Sequence, residues 1–476
     1  MHRYLLLLLI VIVFGAGGCT LAPKYTRPAA PVPAGWQKGD AYQKTGTASV
    51  ISASSELNWQ AFFPDEKLQN VITTALKNNR DLRLAALNVE RARALYGIQR
   101  AELLPSVSAA GIMSRQRAPA DLSTSGSART AERYDVNFGI SAWEIDFFGR
   151  IRSLKDRALE EYLATDQARR GAEILLVSSV ANAYLTLAAD RQNLNLAQST
   201  LEAQEATYRL IGKRCDVGLA SELDLRRAQS QVDVARGDVA RYMQLAAQDE
   251  NALTLLVGAP LQDELLPAGL DQVIPPKKIS AGLSSELLLQ RPDVLTAEHR
   301  LKGANANIGA ARAAFFPRIA LTTAFGTASA DLSGLFKSGS EAWSFTPQIV
   351  LPIFDARTWS AYDATRIERE IAVAQYEKTI QTAFREVADA LAVRGTVDQQ
   401  LSAQQSLVNA VAETYRLSDA RYTKGTDSYL GVLDAQRSLN ASRQGLVVLR
   451  LARLTNMVTL YKVLGGASER SAAADR

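Results

Sequence analysis

Side chains suited to catalysis or metal binding are scarce in this chain of 476 residues. The only histidines are His2 and His299, and the only cysteines are Cys19 and Cys215. A zinc cage needs three or four His or Cys ligands and a disulfide framework needs paired cysteines, so both are nearly excluded. A Ser-His-Asp or Cys-His active site would have to use His299, because His2 stands at the extreme N-terminus. We therefore expect no catalytic residue, no cofactor and no metal site.

The composition indicates a folded protein that does not bind nucleic acid. Hydrophobic residues make up 47% of the chain and charged residues 22%, which is typical of chains that fold. The formal net charge is only +5, and no dense Lys/Arg run concentrates it. Proteins that bind nucleic acid usually carry clustered basic residues, and this sequence has no such cluster.

Cys19 is the one residue whose surroundings predict a covalent modification. A basic start precedes an apolar run from Leu5 to Phe14, and small residues separate that run from Cys19. These features are typical of a secretory signal peptide, here residues 1–18. We expect cleavage there and acylation of Cys19, with palmitate among the lipids; an incidental cysteine beside a simple cleavage site is the alternative. Thr20, not Asp, follows the cysteine, which favours sorting to the outer membrane of a Gram-negative cell.

Residues 19–55 are predicted to form an extended tether from that lipid. Four prolines lie there among Gly, Ser, Thr and Ala, a composition that does not build a hydrophobic core. Downstream of the leader no unbroken apolar run of 18 residues occurs. No helix of the mature chain is therefore expected to cross a bilayer.

The chain contains an internal duplication. The sequence from Arg100 to Pro105 recurs from Arg312 to Pro317, at an offset of 317 − 105 = 212. Later matches, such as Gly218 with Gly425, have an offset of 425 − 218 = 207. Agreement at nearly constant offset over such a span indicates two copies of one structural unit.

Each copy has the same predicted order of helix, β-hairpin, very long helix and shorter helix. The first copy is 56–258, with a helix at about 64–103, a hairpin at about 105–143 and helices at about 150–213 and 221–257. A connector, 259–283, is expected in an equatorial region. The second copy is 284–465, with a helix at about 284–314, a hairpin at about 317–351, helices at about 357–421 and 428–464, and then a flexible tail, 466–476.

The hairpins carry period-two alternation, which predicts strands with one apolar and one polar face. The predicted lipid-facing positions are Tyr134, Val136, Phe138 and Ile140, and Trp343, Phe345 and Ile349. The alternation also puts Ala142 on the apolar face and Trp143 on the polar face. Strands of roughly ten residues are long enough to cross a membrane when tilted. Two ordinary hairpins on a soluble core are the alternative.

Four strands per chain are too few to close a membrane barrel. An open sheet edge in lipid leaves backbone groups unpaired at several kcal/mol each, and about eight strands form the smallest barrel. Several chains must therefore share one barrel. Two chains supply eight strands, and three supply twelve, which leaves room for a water-filled lumen.

The helices carry a heptad repeat, which predicts supercoiling against neighbouring helices. Apolar positions recur every seven residues at Leu225, Val232, Val239, Ala246 and Leu253. The same spacing recurs at Val432, Leu439, Leu446, Arg453 and Leu460, where Arg453 is the charged member. A helix over 150–213 would be about 95 Å long at 1.5 Å per residue. Such rods suit the wall of a tube, although a coiled-coil spacer would show the same repeat.

Taken together, the motifs resemble the TolC-like outer-membrane factors, and among them lipoproteins of the OprM/NodT type. The motifs are Cys19 with Pro23-Lys24-Tyr25, Trp143 to Arg150, Gln290 to Asp293, Ala313 to Pro317, Leu351 to Asp355, and Tyr429 to Gln436. The resemblance implies a homotrimer whose twelve-strand β-barrel continues into a periplasmic α-helical barrel. It also implies an efflux duct that docks with a periplasmic adaptor (a membrane fusion protein) and an inner-membrane transporter, expected to be of the resistance-nodulation-division type.

The resemblance places a gate at the periplasmic tip of the helices. A Leu and an Asp that form narrow rings in the family fall on Leu430 and Asp434, which lie on one helix face. The alternative is that Leu430 packs in the helix seam and Asp434 is a solvated acid. A Tyr and an Asp of the closing network fall on Tyr422 and Asp224.

The chain departs from the family pattern within that network. The family's Arg falls on Asp427 and its second Asp falls on Gly431, so the closing contacts are expected to differ here. Arg421 or Arg416 could supply the missing cation. Cys215 occupies the position that matches Tyr422, and a single thiol there is interpreted as incidental.

The leading hypothesis is the outer-membrane exit duct of a tripartite drug-efflux pump. A duct for metal ions or for type I protein secretion shares the fold. A periplasmic coiled-coil scaffold is disfavoured by the lipid-facing strands, and a periplasmic hydrolase by the lack of a convergent His/Asp/Ser set.

The Cys19→Ala variant is expected to lose its lipid anchor because the acylated thiol is removed. Labelling with radioactive palmitate should fall to background, while trimers can still form. Cys215→Ala is the matched control and should keep full labelling. Unchanged labelling of Cys19→Ala would contradict the lipoprotein assignment.

Overall fold

The computed structural model describes residues 20–37, 39–42, 58–124, 126–277 and 285–466. The predicted signal peptide, Cys19 and the tail from residue 467 onward lie outside these residues, so the expectations for them stay predictions. Within the described part, helices and strands follow the same order in the two halves of the chain.

The first half contains helices α1 (Trp59–Phe62), α2 (Glu66–Asn78) and α3 (Arg80–Ala101), strands β1 (Val107–Ala118) and β2 (Arg129–Glu144), and helices α4 (Arg150–Asp216) and α5 (Glu222–Val257). The second half contains helix α6 (Pro292–Ala313), strands β3 (Arg318–Ser329) and β4 (Glu341–Val350), and helices α7 (Ala356–Thr423) and α8 (Tyr429–Val463). Short 3₁₀ turns occur at Asp40–Tyr42, Ala120–Leu122, Asp263–Leu265, Leu270–Gln272, Ser285–Gln290 and Leu332–Gly334.

The single helix predicted at about 64–103 is broken at Asn79. This residue has extended backbone angles, and its side-chain oxygen accepts a hydrogen bond from the Leu82 amide at 2.8 Å. Its side-chain amide donates to the Leu256 carbonyl at 2.8 Å. Asparagine is a strong helix N-cap, so it ends α2 and starts α3 within one residue.

The helix predicted from residue 284 starts later, at Pro292. Proline favours the first position of a helix because its fixed φ suits that turn and it needs no amide partner. The described residues immediately before it form a 3₁₀ turn, Ser285–Gln290.

Two compact units divide the chain. One contains Asn88–Asp166 and Thr296–Glu377, together with the N-terminal residues up to Ala29. The other contains Ala30–Leu87, Gln167–Leu295 and the chain from Lys378 onward. The first unit carries the sheet, and the second carries the paired helices α5 and α8.

The sheet has four antiparallel strands in the order β1-β2-β3-β4. Its register places most of the large apolar residues of the four strands on one face, as in the cross-strand pairs Phe138–Phe325 and Phe325–Trp343. This face contains Val107, Ala109, Met113, Tyr134, Val136, Phe138, Ile140, Ile319, Leu321, Phe325, Trp343, Phe345 and Ile349. The other face is mainly small or polar and includes Ser108, Ala110, Asn137, Gly139, Thr322, Ala324, Ser344 and Thr346.

A β-bulge near the C-terminal end of β2 interrupts the alternation that the sequence predicted. Ile140 pairs with Thr323, but the next paired residue is Trp143, opposite Leu321. Ala142 lies inside the bulge with a φ of 50°. An extra residue in one strand reverses the facing of the residues beyond it. Trp143 therefore lies on the apolar face, and the prediction of Ala142 there was wrong.

Glycine permits close packing on the opposite face of the sheet. A Cβ on Gly139 would lie 2.0 Å from the Thr323 carbonyl oxygen, and one on Gly326 would lie 2.1 Å from the Val136 carbonyl oxygen. Any side chain at these positions would push β2 and β3 apart. Such glycines let a sheet curve strongly.

The heptad positions of α5 and α8 are largely buried, as a helix seam requires. In α5, Val232, Ala246 and Leu253 are exposed by 8% or less. In α8, Leu439 and Leu460 are exposed by 5% or less. The prediction that these stripes pack against neighbouring helices is confirmed for the second unit.

Helix α4 contains an 18-residue window with a mean hydropathy of 1.5, long and apolar enough by composition to cross a membrane. However, 56% of that window is buried inside the protein. Tyr184, Leu185 and Leu187 are each exposed by 1% or less. Burial of this kind is typical of a core helix, and we assign the window to helix packing.

The first described residues pack against α6 and do not form the extended tether that the sequence predicted. Arg312 donates to the Leu21 carbonyl at 3.2 Å, and Asn305 donates to the Pro23 carbonyl at 2.7 Å. At Gly309 a Cβ would lie 2.8 Å from the Ala22 amide, so the segment passes directly over α6. Residues 21–27 are therefore a docked strap, which proline content alone did not reveal.

Glu298 of α6 holds the end of this strap. Its side chain is only 3% exposed and accepts hydrogen bonds from Arg27 Nη2 at 2.7 Å and from the Tyr25 hydroxyl at 3.2 Å. Lys302 Nζ lies 3.3 Å away. Burial alone would raise the pKa of Glu298, but the hydrogen bond from Arg27 and the charge of Lys302 outweigh it and hold that pKa below its usual range.

The Arg27→Ala variant is expected to lower the free energy of unfolding by about 1–2 kcal/mol, because a buried carboxylate loses two charge-assisted hydrogen bonds. Urea or thermal unfolding followed by circular dichroism measures the change. Arg357→Ala is the control, since Arg357 is 91% exposed in its pair with Asp355; it should leave stability unchanged. Equal losses in the two variants would contradict the role of the strap.

Candidate functional site at the helix tips

Two turns with the same hydrogen bonds form the tips of the helix pairs. Between α4 and α5, Gly218 has a φ of +75° and the Leu219 amide donates to the Arg214 carbonyl at 2.7 Å. Between α7 and α8, Gly425 has a φ of +73° and the Thr426 amide donates to the Arg421 carbonyl at 3.0 Å. Only glycine adopts this left-handed conformation without strain, so both helices end at a glycine.

An apolar cluster packs the two tips together inside the second unit. Its buried members come from three helices: Ile211 from α4, Ala228 from α5, and Tyr429, Val432 and Leu433 from α8. Partly buried neighbours complete it: Tyr208, Ala220, Leu225, Tyr415 and Tyr422. The cluster joins residues about 200 positions apart in sequence, which only tertiary packing can bring together.

Leu430 and Asp434 lie just outside this cluster and point away from it. Leu430 is 45% exposed, and Asp434 is also exposed. Among the described residues, no side chain forms a hydrogen bond or ion pair with the Asp434 carboxylate. Both side chains are therefore accessible to a surface outside the single chain. A gate residue needs this accessibility, whereas a residue that packs in the helix seam would be buried.

Asp224 and Tyr422 do not hydrogen bond to each other within the described part of one chain. Asp224 Oδ2 accepts a hydrogen bond from the Ser221 hydroxyl at 2.7 Å, and its amide donates back to the Ser221 hydroxyl at 3.1 Å. Ser221 thus caps the start of α5, and the Asp224 carboxylate holds the capping hydroxyl in place. The Tyr422 ring contacts the Tyr429 ring, with centroids 5.3 Å apart, and lies 5.2 Å from the Arg214 guanidinium carbon.

Both arginines that could have supplied the missing cation are paired locally. Arg421 Nε donates to Asp427 Oδ2 at 2.6 Å, within the same tip. Arg416 donates to Glu413 at 2.7 Å. A cation that does lie over the Tyr422 ring is Arg214 of the first tip, which sequence matching did not single out. Its only sequence signal was that it matches Arg421 in the duplication.

Cys215 and His299, the remaining chemically reactive residues of the described structure, each contact one acidic side chain. Cys215 is a free, half-buried thiol whose sulfur lies 4.0 Å from Glu222. His299 Nδ1 contacts Glu160 Oε2 at 2.6 Å in the first unit. Among the described residues, no group of three or more His, Cys, Asp or Glu side chains could hold a metal ion.

The predicted lipid-facing residues share the apolar face of the sheet. Trp343 is 77% exposed, Ile349 68%, and Phe138 and Phe345 54% each. Val136 is exposed, whereas Tyr134 and Ile140 are partly covered. A soluble monomer rarely exposes so large a contiguous apolar area, so this face requires a partner surface.

An antiparallel four-stranded sheet combined with very long paired helices defines the class of TolC-like outer-membrane channels. The structure of the open state of the MtrE outer membrane channel of Neisseria gonorrhoeae is similar, with a TM-score of 0.84 and 38% identity over 94% of this chain and 98% of that one. The sequence profile of the outer membrane efflux protein family matches residues 71–259 and 283–466. The chain belongs to that family.

Two relatives from Pseudomonas putida cover nearly the full length. The toluene efflux pump outer membrane protein TtgC and the antibiotic efflux pump outer membrane protein ArpC are each 50% identical over 465 residues, covering 97% of this chain and 95% of the relative. These findings confirm the family and the outer-membrane location predicted from the motifs.

Proposed function

We propose that the protein is the outer-membrane exit duct of a tripartite efflux pump and that three copies form one duct. The observation that carries this proposal is the four-stranded sheet, in which β1 and β4 are edge strands of 12 and 10 residues. In lipid, each unpaired backbone group on such an edge costs several kcal/mol. Pairing β1 of one copy with β4 of the next removes every edge once the ring closes.

Three copies give a twelve-strand barrel, which is wide enough for a water-filled lumen. The apolar face with Trp343 and Phe138 then contacts lipid. The small and polar face, with Asn137 and Thr346, lines the lumen. The helices continue the conduit into the periplasm as an α-helical barrel, and the duplicated halves supply equivalent helix pairs. Acylated Cys19 anchors each copy beside the barrel.

The domain limits belong to the same proposal. A cleaved leader, 1–18, precedes the anchored N-terminal segment, 19–55. The two copies, 56–258 and 284–465, are joined by an equatorial connector, 259–283. The tail, 466–476, follows the second copy.

The tip is the gate. Leu430 and Asp434 are exposed on one face of α8, so three copies would bring three leucines and three carboxylates to the axis. A ring of leucines favours dewetting, and a ring of carboxylates repels anions. Tyr422 and Asp224 belong to the closed tip: the Tyr422 ring contacts Arg214 of the other tip, and Asp224 fixes the start of α5 through Ser221.

The chain catalyses no reaction. Its partners are a periplasmic adaptor and an inner-membrane transporter of the resistance-nodulation-division type, which supply the cargo and trigger opening. Relatives named for toluene and for antibiotics support small, largely apolar drugs and solvents as the cargo. Ducts for metal ions or for type I protein secretion share the fold and are the alternatives.

Purified protein in detergent is expected to be a trimer, because only shared strands satisfy the sheet edges. Negative-stain microscopy should show a long tube with threefold symmetry, and native mass spectrometry should give three times the mature chain mass. A stable monomer whose sheet edges are protected from hydrogen exchange would contradict the shared barrel.

A variant with Leu430→Ala and Asp434→Asn is expected to raise the single-channel conductance in planar bilayers severalfold. The substitutions widen the axis and remove the carboxylate ring. Leu255→Ala is the control, since Leu255 is 79% exposed on α5 but lies far from the tip in sequence. Conductance equal to wild type in the gate variant would contradict the assignment of these two residues.

A further inference from the structure

The hydroxyl group of Tyr429 is a buried polar group without a partner at the gate. Tyr429 is 2% exposed, and its hydroxyl oxygen forms no hydrogen bond with any described residue. The residue is the first of α8 and immediately precedes Leu430. Its surroundings are apolar, because Ile211, Val432 and Leu433 are members of the same buried cluster.

The chain's own atoms enclose this hydroxyl. Its oxygen has almost no accessible surface in a single copy, so neither bulk water nor a neighbouring copy can reach it while the cluster stays packed. Burial raises the pKa of Tyr429 to about 12, with smaller contributions from Tyr422, Tyr415 and Asp224. The hydroxyl therefore keeps its proton at neutral pH and remains a donor without an acceptor.

Two carboxylates, Asp224 and Asp419, act on Tyr429 electrostatically, but neither accepts a hydrogen bond from its hydroxyl. The Asp224 carboxylate instead accepts a hydrogen bond from Ser221 at 2.7 Å and lies 3.7 Å from Arg227. Leaving a buried donor unpaired is unfavourable by an amount that shifts an equilibrium roughly tenfold or more. Few native positions keep such a group without a reason.

Separation of the two tips would remove this penalty. The enclosing side chains belong to both helix pairs, since Ile211 and Ala228 come from α4 and α5 whereas Val432 and Leu433 come from α8. When the pairs part, the Tyr429 hydroxyl is exposed to water, which accepts its hydrogen bond. We propose that the Tyr429 hydroxyl is a built-in bias toward opening, which makes the packed tip less stable than the separated tip. The inference rests on the proposed gate at this tip.

Tyr376 offers a matched control elsewhere in the chain. It is fully buried in α7, and its hydroxyl also lacks a hydrogen-bond partner among the described residues. It belongs to the unit that carries the sheet, not to the unit that carries the tips. Removing its hydroxyl is the same chemical change at the same degree of burial, without a connection to the gate.

Tyr429→Phe and Tyr376→Phe are introduced separately into the full-length protein that carries Leu430→Ala and Asp434→Asn, whose raised conductance provides a measurable open probability. Tyr429→Phe is expected to lower the open probability about tenfold, because the packed tip no longer buries an unpaired donor. Tyr376→Phe should leave it unchanged. Neither substitution should lower the Tm of the otherwise wild-type protein.

The outcomes separate this inference from the proposed function. A protein that does not conduct in any variant contradicts the duct and the bias together. A conducting protein in which Tyr429→Phe opens as often as its parent overturns the bias alone. The same holds if Tyr376→Phe lowers the open probability equally. A fall in Tm for Tyr429→Phe would also overturn it, because it would show that the hydroxyl has a stabilising partner in the packed tip.

Discussion

Backbone hydrogen bonding at the free edges of the sheet is the constraint on which the rest of this protein depends. Strands β1 and β4 each leave one side of their backbone unpaired within a single chain. Water could satisfy those groups, but lipid cannot. The broad apolar face, from Val107 to Ile349, favours lipid as the surroundings of the sheet. In the proposed trimer, further copies of the chain supply the missing partners of the two edge strands.

The duplicated halves share the backbone geometry of their tip turns but carry different side chains there. The two tip turns have glycines at matching positions and the same amide-to-carbonyl hydrogen bonds. Their side chains differ where the gate is proposed: Arg227 stands at the position that matches Asp434, and Cys215 at the position that matches Tyr422. Only the second tip therefore carries the exposed carboxylate that the proposed gate uses. A trimer of duplicated chains can in this way place charge on every second helix pair.

Packing at the tip combines stability with readiness to open. Apolar side chains such as Ile211 and Leu433 favour the packed arrangement, and the unpaired hydroxyl of Tyr429 opposes it. A closed state that is only moderately favoured can be shifted by contact with a partner that contributes a few kcal/mol. The contact between the strap and Glu298 contains no such unpaired group. The buried Glu298 carboxylate interacts with Arg27, Tyr25 and Lys302.

The sequence by itself determined the features that depend on the period of its apolar residues. Period-two alternation predicted the strands, and period seven predicted the buried stripes of α5 and α8, because each signal is local. Tertiary structure alone decided the rest. The bulge that moves Trp143 to the apolar face depends on the residues that β3 presents opposite it, and the break at Asn79 depends on the Leu256 carbonyl. The docking of residues 21–27 depends on the buried Glu298, and the pairing of Arg421 with Asp427 depends on the fold of one turn. Each of these features depends on a contact between particular groups. A local sequence pattern does not determine how far apart such groups lie in space.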